Sequence, residues 1–198
     1  MLKLLNRAQD RLDSTRRVDF LAPVALRLYL AAVFWTAGMN KVKGFDGVVE
    51  WFGNTEWGLG LPAPFLMALL ATATEVVGAI MLLIGLGVRW VSLPLLFTMI
   101  VAMASVHWSH GWQAVADASS PFPPADIHMA LERLQRAREI LQEHGNYEWL
   151  TASGQFVVSN NGVEWSVTYA IMLLALLFMG AGRWLSLDYW IARRWRQS

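Results

Sequence analysis

A lysine, two histidines and two glutamates stand in this chain where the surrounding sequence is apolar: Lys41, His107, His110, Glu75 and Glu164. Glu75 is the most unusual. It lies in FLMALLATATEVVGAIMLLIGLG, Phe65 to Gly87, a run apolar apart from Thr72, Thr74 and Glu75 itself. At about 1.5 Å per residue that run is about 34 Å long, enough to cross a hydrocarbon core of about 30 Å. A carboxylate near mid-membrane costs about 2.5–3.5 kcal/mol on insertion scales, so it persists only facing protein or water. Ala68, Ala71, Thr72, Glu75, Gly78, Ala79 and Gly85 recur at helical spacing and give it a small-residue face for close helix packing. Leu66, Leu69, Leu70, Val77, Ile80, Leu83 and Ile84 are left for lipid.

Such residues can support three chemistries. Glu75, His107 and Lys41 are candidate acid–base groups for a proton relay. Lys41 and His107 with Trp35 and Trp108 could hold a quinone, which needs an apolar slot with one or two donors near the interface. His107 and His110, three apart and on one helical face, could with Glu164 ligate Cu(II) or Zn, and Met99 and Met103 below them suit Cu(I). The plain structural reading stands beside these. Lys41 snorkels, the histidines sit at the interface, Glu75 pairs to fix packing, and methionines fill gaps.

The elements that must position these residues follow from hydrophobic patterning. Residues 1–19 predict a short amphipathic helix on the membrane surface, built on Leu2, Leu5, Ala8 and Leu12. Arginines continue to Arg17 with no cleavage site after a short apolar core, so this is not a secretory signal. Spans are expected at about 20–41, 65–87, 90–110 and 163–181, giving an all-α four-helix membrane bundle in a single domain, 1–198. Arg27, one to two turns into the first span, can snorkel or pair internally. The second and third spans form a tight antiparallel hairpin. Residues 111–162 predict an outer cap: a turn at SSPFPPAD with Asp126 as N-cap, an amphipathic helix ended by Gly145, then a short hairpin around Ser153–Gly154 or an ordered loop.

Composition agrees with a membrane protein. The chain is 56% hydrophobic and 16% charged, where soluble domains run near a quarter charged. A net charge of +1 leaves no basic excess for nucleic acid. The absence of cysteine excludes thiol nucleophiles and Cys-ligated metals within the chain. Trp51, Trp57, Trp90, Trp108, Trp112, Trp165, Trp184 and Trp190 fall near span boundaries, as an interfacial belt requires. Lys3, Arg7, Arg11, Arg16, Arg17, Arg89, Arg183, Arg193, Arg194 and Arg196 lie on one side, against Lys41, Lys43, Arg133, Arg136 and Arg138 on the other. That asymmetry predicts cytoplasmic termini and an outer, periplasmic cap in a bacterial inner membrane.

FWTAGMNKVKGF closing the first span, TATEVVGAIMLLIGLGVRW in the second, the third span ending at His107, and GAGRWLSLDYWI after the fourth together resemble the DoxX family of small four-helix bacterial membrane proteins. HGNYEWLTASGQFVVSNNGVEW looks like the HvfX-like branch, associated with enzymes that mature copper-binding peptides. The resemblance implies an accessory role in redox or sulfur-linked metabolism, quinone-linked in some members, with partner proteins on the outer side. It places the family's polar positions on Lys41, Glu75, His107 and Asp188. Two other classes stay open: a non-enzymatic membrane anchor or assembly partner, and a small copper-handling protein.

Overall fold

The computed structural model describes residues 2–195, the side chains of 2–5, 7 and 8 excepted. The predicted contributions of Leu2, Leu5 and Ala8 to an amphipathic face lie outside the described residues. Among the described residues the regular elements are helices, with one isolated antiparallel bridge between Val115 and Ser159. A first helix α1 covers Leu2–Ser14, α2 Leu21–Lys43, α3 Phe45–Gly53 and α4 Pro64–Ile84. They are followed by α5 Val88–Ala102, α6 Ile127–His144, the short α7 Tyr147–Leu150, α8 Glu164–Met179 and α9 Leu187–Trp195.

Among the described residues, three helical stretches are long and apolar enough to cross a membrane: Leu21–Lys43, Pro64–Ile84 and Val88–His110. They match the first three expected spans to within a few residues. The fourth, α8, is apolar but runs for 16 residues, short of the roughly 20 a spanning helix needs.

The chain divides into two compact units, residues 1–98 with 169–198, and residues 99–168. In the first unit α4 packs chiefly on α2 and α3. Its buried side is Ala68, Thr72, Glu75, Gly78, Ala79 and Leu82, and the leucines, valine and isoleucines expected toward lipid are exposed. The packing is close because side chains are missing where the helices cross. A Cβ on Gly38 of α2 would lie 2.7 Å from Val76 Cγ2 and 3.2 Å from Glu75 Cβ. At the other end, a Cβ on Gly85 would collide with the Arg27 guanidinium, and Gly85 also ends α4 in a left-handed conformation, φ 70°. Gly38 against Glu75–Val76 and Arg27 against Gly85 set α2 and α4 antiparallel.

Arg27 pairs internally. It is 1% exposed, and donates to the carbonyls of Ala181 and Leu185, each at 2.8 Å. Asp188, at the start of α9, accepts from the amides of Gly87 and Val88 at 2.6 and 3.0 Å. These are the unpaired donors at the head of α5, so Asp188 caps that helix from a distant part of the chain.

In the second unit α5 does not simply stop. A widened π turn covers Met103–His107 and a tight 3-10 turn Trp108–His110. Asp126 occupies the N-cap position of α6, but its side chain makes no capping bond; Gly145 ends that helix as expected. No hairpin forms around Ser153–Gly154. Instead residues 158–164 run back along 111–116, with the amide of Ala116 donating to Val158, that of Asn160 to Ala114 and that of Gly162 to Gln113. Gly162 is needed there, since any Cβ would strike the Gln113 and Gly111 carbonyls.

Candidate functional site

The candidate site is built on α2 and α4. Lys41 stands one turn beyond Gly38, and its Nζ donates to both oxygens of Glu75, at 2.8 Å to Oε1 and 2.6 Å to Oε2. The Glu75 side chain is 6% exposed and that of Lys41 26%. The carboxylate is thus neutralised inside the helix pair while its partner keeps an edge on the outside. A buried charge requires such a partner. Here the glycine at 38 lets the backbones come close enough for Lys41 to reach it. Sequence reading found the acid and the base but not Gly38, whose signal was only its place one turn before a lysine.

Along the same seam, one turn from Glu75, lies an apolar groove of about 370 Å³. Its walls include Leu28, Ala31 and Trp35 from α2, and Ala79, Ile80 and Leu83 from α4. The alanines form the floor, and Leu28, Trp35, Ile80 and Leu83 are exposed along the rim. Trp35, expected to hold a cofactor, lines this groove.

The other predicted residues belong to the second unit and have partners within it. His107 Nδ1 lies 2.8 Å from the carbonyl of Asn161. A carbonyl can only accept, so Nδ1 is the donor in this bond. His110 Nδ1 lies 3.2 Å from the carbonyl of Val106, in its own turn. Glu164 Oε2 accepts from the amide of Ala114 at 2.9 Å. His107 and Glu164 therefore brace the paired segments 111–116 and 158–164 through backbone groups, while His110 bonds within its own turn. Among the described residues no group of three or more His, Asp or Glu side chains is gathered to hold a metal ion. His107 closes a π turn and His110 a 3-10 turn, so the regular α-helix from which their shared face was read is absent there. Trp108, also expected at a cofactor, is 70% exposed in the second unit.

Residues 22–108, which carry Gly38, Lys41 and Glu75, match the DoxX family model. The chain is also 33% identical over 115 residues to Inner membrane protein YphA of Escherichia coli (strain K12), covering 56% of this chain and 78% of that protein. The chain belongs to the DoxX family. A second relative, named "Putative oxidoreductase CatD", of Bacillus subtilis (strain 168), is 27% identical over 111 residues, again 56% of this chain and 78% of its own length. No solved structure matches the chain. With its long apolar helices, this DoxX protein is a multi-pass inner-membrane protein. The matched segment ends at Trp108, so the paired segments 111–116 and 158–164 lie wholly beyond the DoxX match.

Proposed function

We propose that this DoxX protein is an accessory redox protein that exchanges electrons between a reductant on the outer side and membrane quinone. The observation that supports it is the placement of the Lys41–Glu75 ion pair on the seam that carries the apolar groove. A quinone has an isoprenoid tail and a ring with two carbonyl oxygens, and its reduction takes up two electrons and two protons. The groove offers aliphatic and indole surface for the tail. Lys41 offers an ammonium donor to a ring oxygen and Glu75 holds that ammonium in place; the two electrons come from the outer-side reductant and the two protons from water, one of them passing through Lys41. The oxidoreductase name of the Bacillus relative is consistent with this role.

The topology that serves it has four crossings, with α8 and its flanking residues, about 163–181, as a short fourth, both termini cytoplasmic and residues 111–162 outside. The basic asymmetry supports that orientation. Lys41 and the start of α4 then face outward, where an outer-side partner docks. A place in the copper-peptide branch rests on the loop 144–165 alone and adds nothing to the mechanism.

Purification into discs of native lipid, followed by solvent extraction and chromatography, tests the reading. A quinone retained in near-equal amount to the protein, above its share of the bulk lipid, is expected. Retention no greater than that of a single-span control protein would overturn it.

A further inference from the structure

Thr72 lies on the buried side of α4, one turn before Glu75, and is 6% exposed. Its Oγ1 has no hydrogen-bond partner. The other buried hydroxyl side chains among the described residues behave differently. Ser92 donates to the carbonyl of Val88, Ser166 to that of Val163 and Ser186 to that of Gly182. Bonding back to the preceding turn is the usual refuge of a hydroxyl in an apolar helix, and Thr72 does not take it. A buried polar atom left unpaired in hydrocarbon is costly, so a group not supplied by the fold is its expected partner.

The register of the two helices says what stands nearby. Gly38 of α2 lies against Glu75 and Val76. In an antiparallel pair, three residues onward on α2 is level with three residues back on α4, which sets Lys41 level with Thr72. An ammonium has three N–H donors, and Glu75 takes two of those on Lys41. Lys41 and Thr72 therefore stand level along the helix pair, the one with an N–H beyond the two that Glu75 takes and the other with an unpartnered hydroxyl.

We infer that Thr72 Oγ1 and the third N–H of Lys41 together hold a single acceptor oxygen, and that Thr72 is a ligand-positioning residue of this site. The inference rests on the quinone reading above, which makes that oxygen a ring carbonyl; an ordered water is the other source of the same chemistry. Two donors converging on one carbonyl would orient the ring so that the proton held by Lys41 points at the oxygen that gains charge on reduction.

Thr72→Val removes the hydroxyl and keeps the shape, and Thr72→Ser keeps the hydroxyl. Each is compared with wild type in lipid discs, titrated with a short-tailed benzoquinone carrying isotope-labelled carbonyls and read by infrared spectroscopy. Thr72→Val should weaken binding about tenfold, the worth of one hydrogen bond. It should also move the labelled carbonyl band toward its unbonded position, while Thr72→Ser stays within about threefold of wild type with the wild-type band. An unchanged affinity and band in Thr72→Val would overturn the role of Thr72 and leave the quinone reading standing. A shift in the Glu75 carboxylate bands alone, with the quinone band unmoved, would assign the oxygen to water and also overturn it. No binding by wild type would instead sink the quinone reading itself, and this inference with it.

Discussion

Lys41 Nζ bridges both carboxylate oxygens of Glu75, at 2.8 and 2.6 Å, between two helices each long enough to cross a membrane. Either charge alone would be expensive at that depth. Together they form a neutral unit that keeps one flank, the 26%-exposed lysine, open to a visitor. Removing one partner leaves the other buried and uncompensated. Lys41→Met and Glu75→Leu, made singly, should each lower unfolding stability by about 3 kcal/mol. Thermal unfolding in mild detergent reads this, and two single variants as stable as wild type would show that the pair is not closed in the membrane.

Gly38 sets the distance across which that pair forms. Gly38→Ala places a Cβ 2.7 Å from Val76 Cγ2, and overpacking of this kind costs about 1–3 kcal/mol. The helices must separate, so the Lys41–Glu75 contact should lengthen as well. Gly47→Ala, in α3 where nothing lies within 4 Å, is the matched control and should be neutral to slightly stabilising. Melting temperatures of the two variants, side by side, check the contrast.

Arg27 and Asp188 fasten the opposite end of the first unit. Asp188→Ala strips the cap from α5 and should cost about 1 kcal/mol, in the range of lost N-caps. Arg27→Lys keeps the charge but cannot reach both Ala181 and Leu185 with a planar fork, and should cost about 1–3 kcal/mol. Faster proteolysis after residue 180 in both variants is the expected result.

Outside the spans, two carboxylates carry a pH dependence. Hydrogen bonds from the hydroxyl and amide of Ser119 hold Asp117 below its ordinary titration range, and Arg136 with Gln135 does the same for Glu139. A carboxylate depressed in the folded state stabilises it above the unfolded value, and that contribution is lost as pH falls through the folded one. Amide protection factors, measured rates corrected for the intrinsic exchange rate at each pH, should therefore be high at Ser119 and along α6 at neutral pH and fall below about pH 4. A loss of protection on the alkaline side instead would contradict the sign.

Orientation is testable separately. A phosphatase fused near residue 130 should be active, and a fluorescent protein fused at the C-terminus should glow, because the basic residues concentrate on the terminal side. The opposite pair of results would invert the topology.

The buried side of α4 was legible in the sequence because small and polar residues interrupt an otherwise lipid-compatible run at helical spacing. Glu75 announced itself by cost alone. Its partner was one of several candidates at similar depth, and choosing Lys41 required the close approach at Gly38, a relation between residues 37 apart that no local pattern encodes. The bonding partners of His107, His110 and Glu164 were hidden for a related reason. The spacing of the histidines presupposes an unbroken helix, while the π turn at Met103–His107 and the pairing of 111–116 with 158–164 depend on backbone hydrogen bonds to distant residues. Such bonds leave little trace in side-chain type. Thr72 was visible on the helical face, but its missing partner could be seen only once the neighbouring hydroxyls had found theirs.

The central claim is that Lys41 and Glu75 form a binding site and not only a brace. The double variant Lys41→Met/Glu75→Leu separates the two, because replacing a buried ion pair by apolar residues of similar size is often neutral or stabilising. Binding of a short-tailed quinone to wild type and to this variant in lipid discs is the most direct measurement. Saturable binding by wild type, and at least tenfold weaker binding by a double variant that unfolds at the wild-type temperature, is the predicted result. Equal binding by both proteins would contradict the claim.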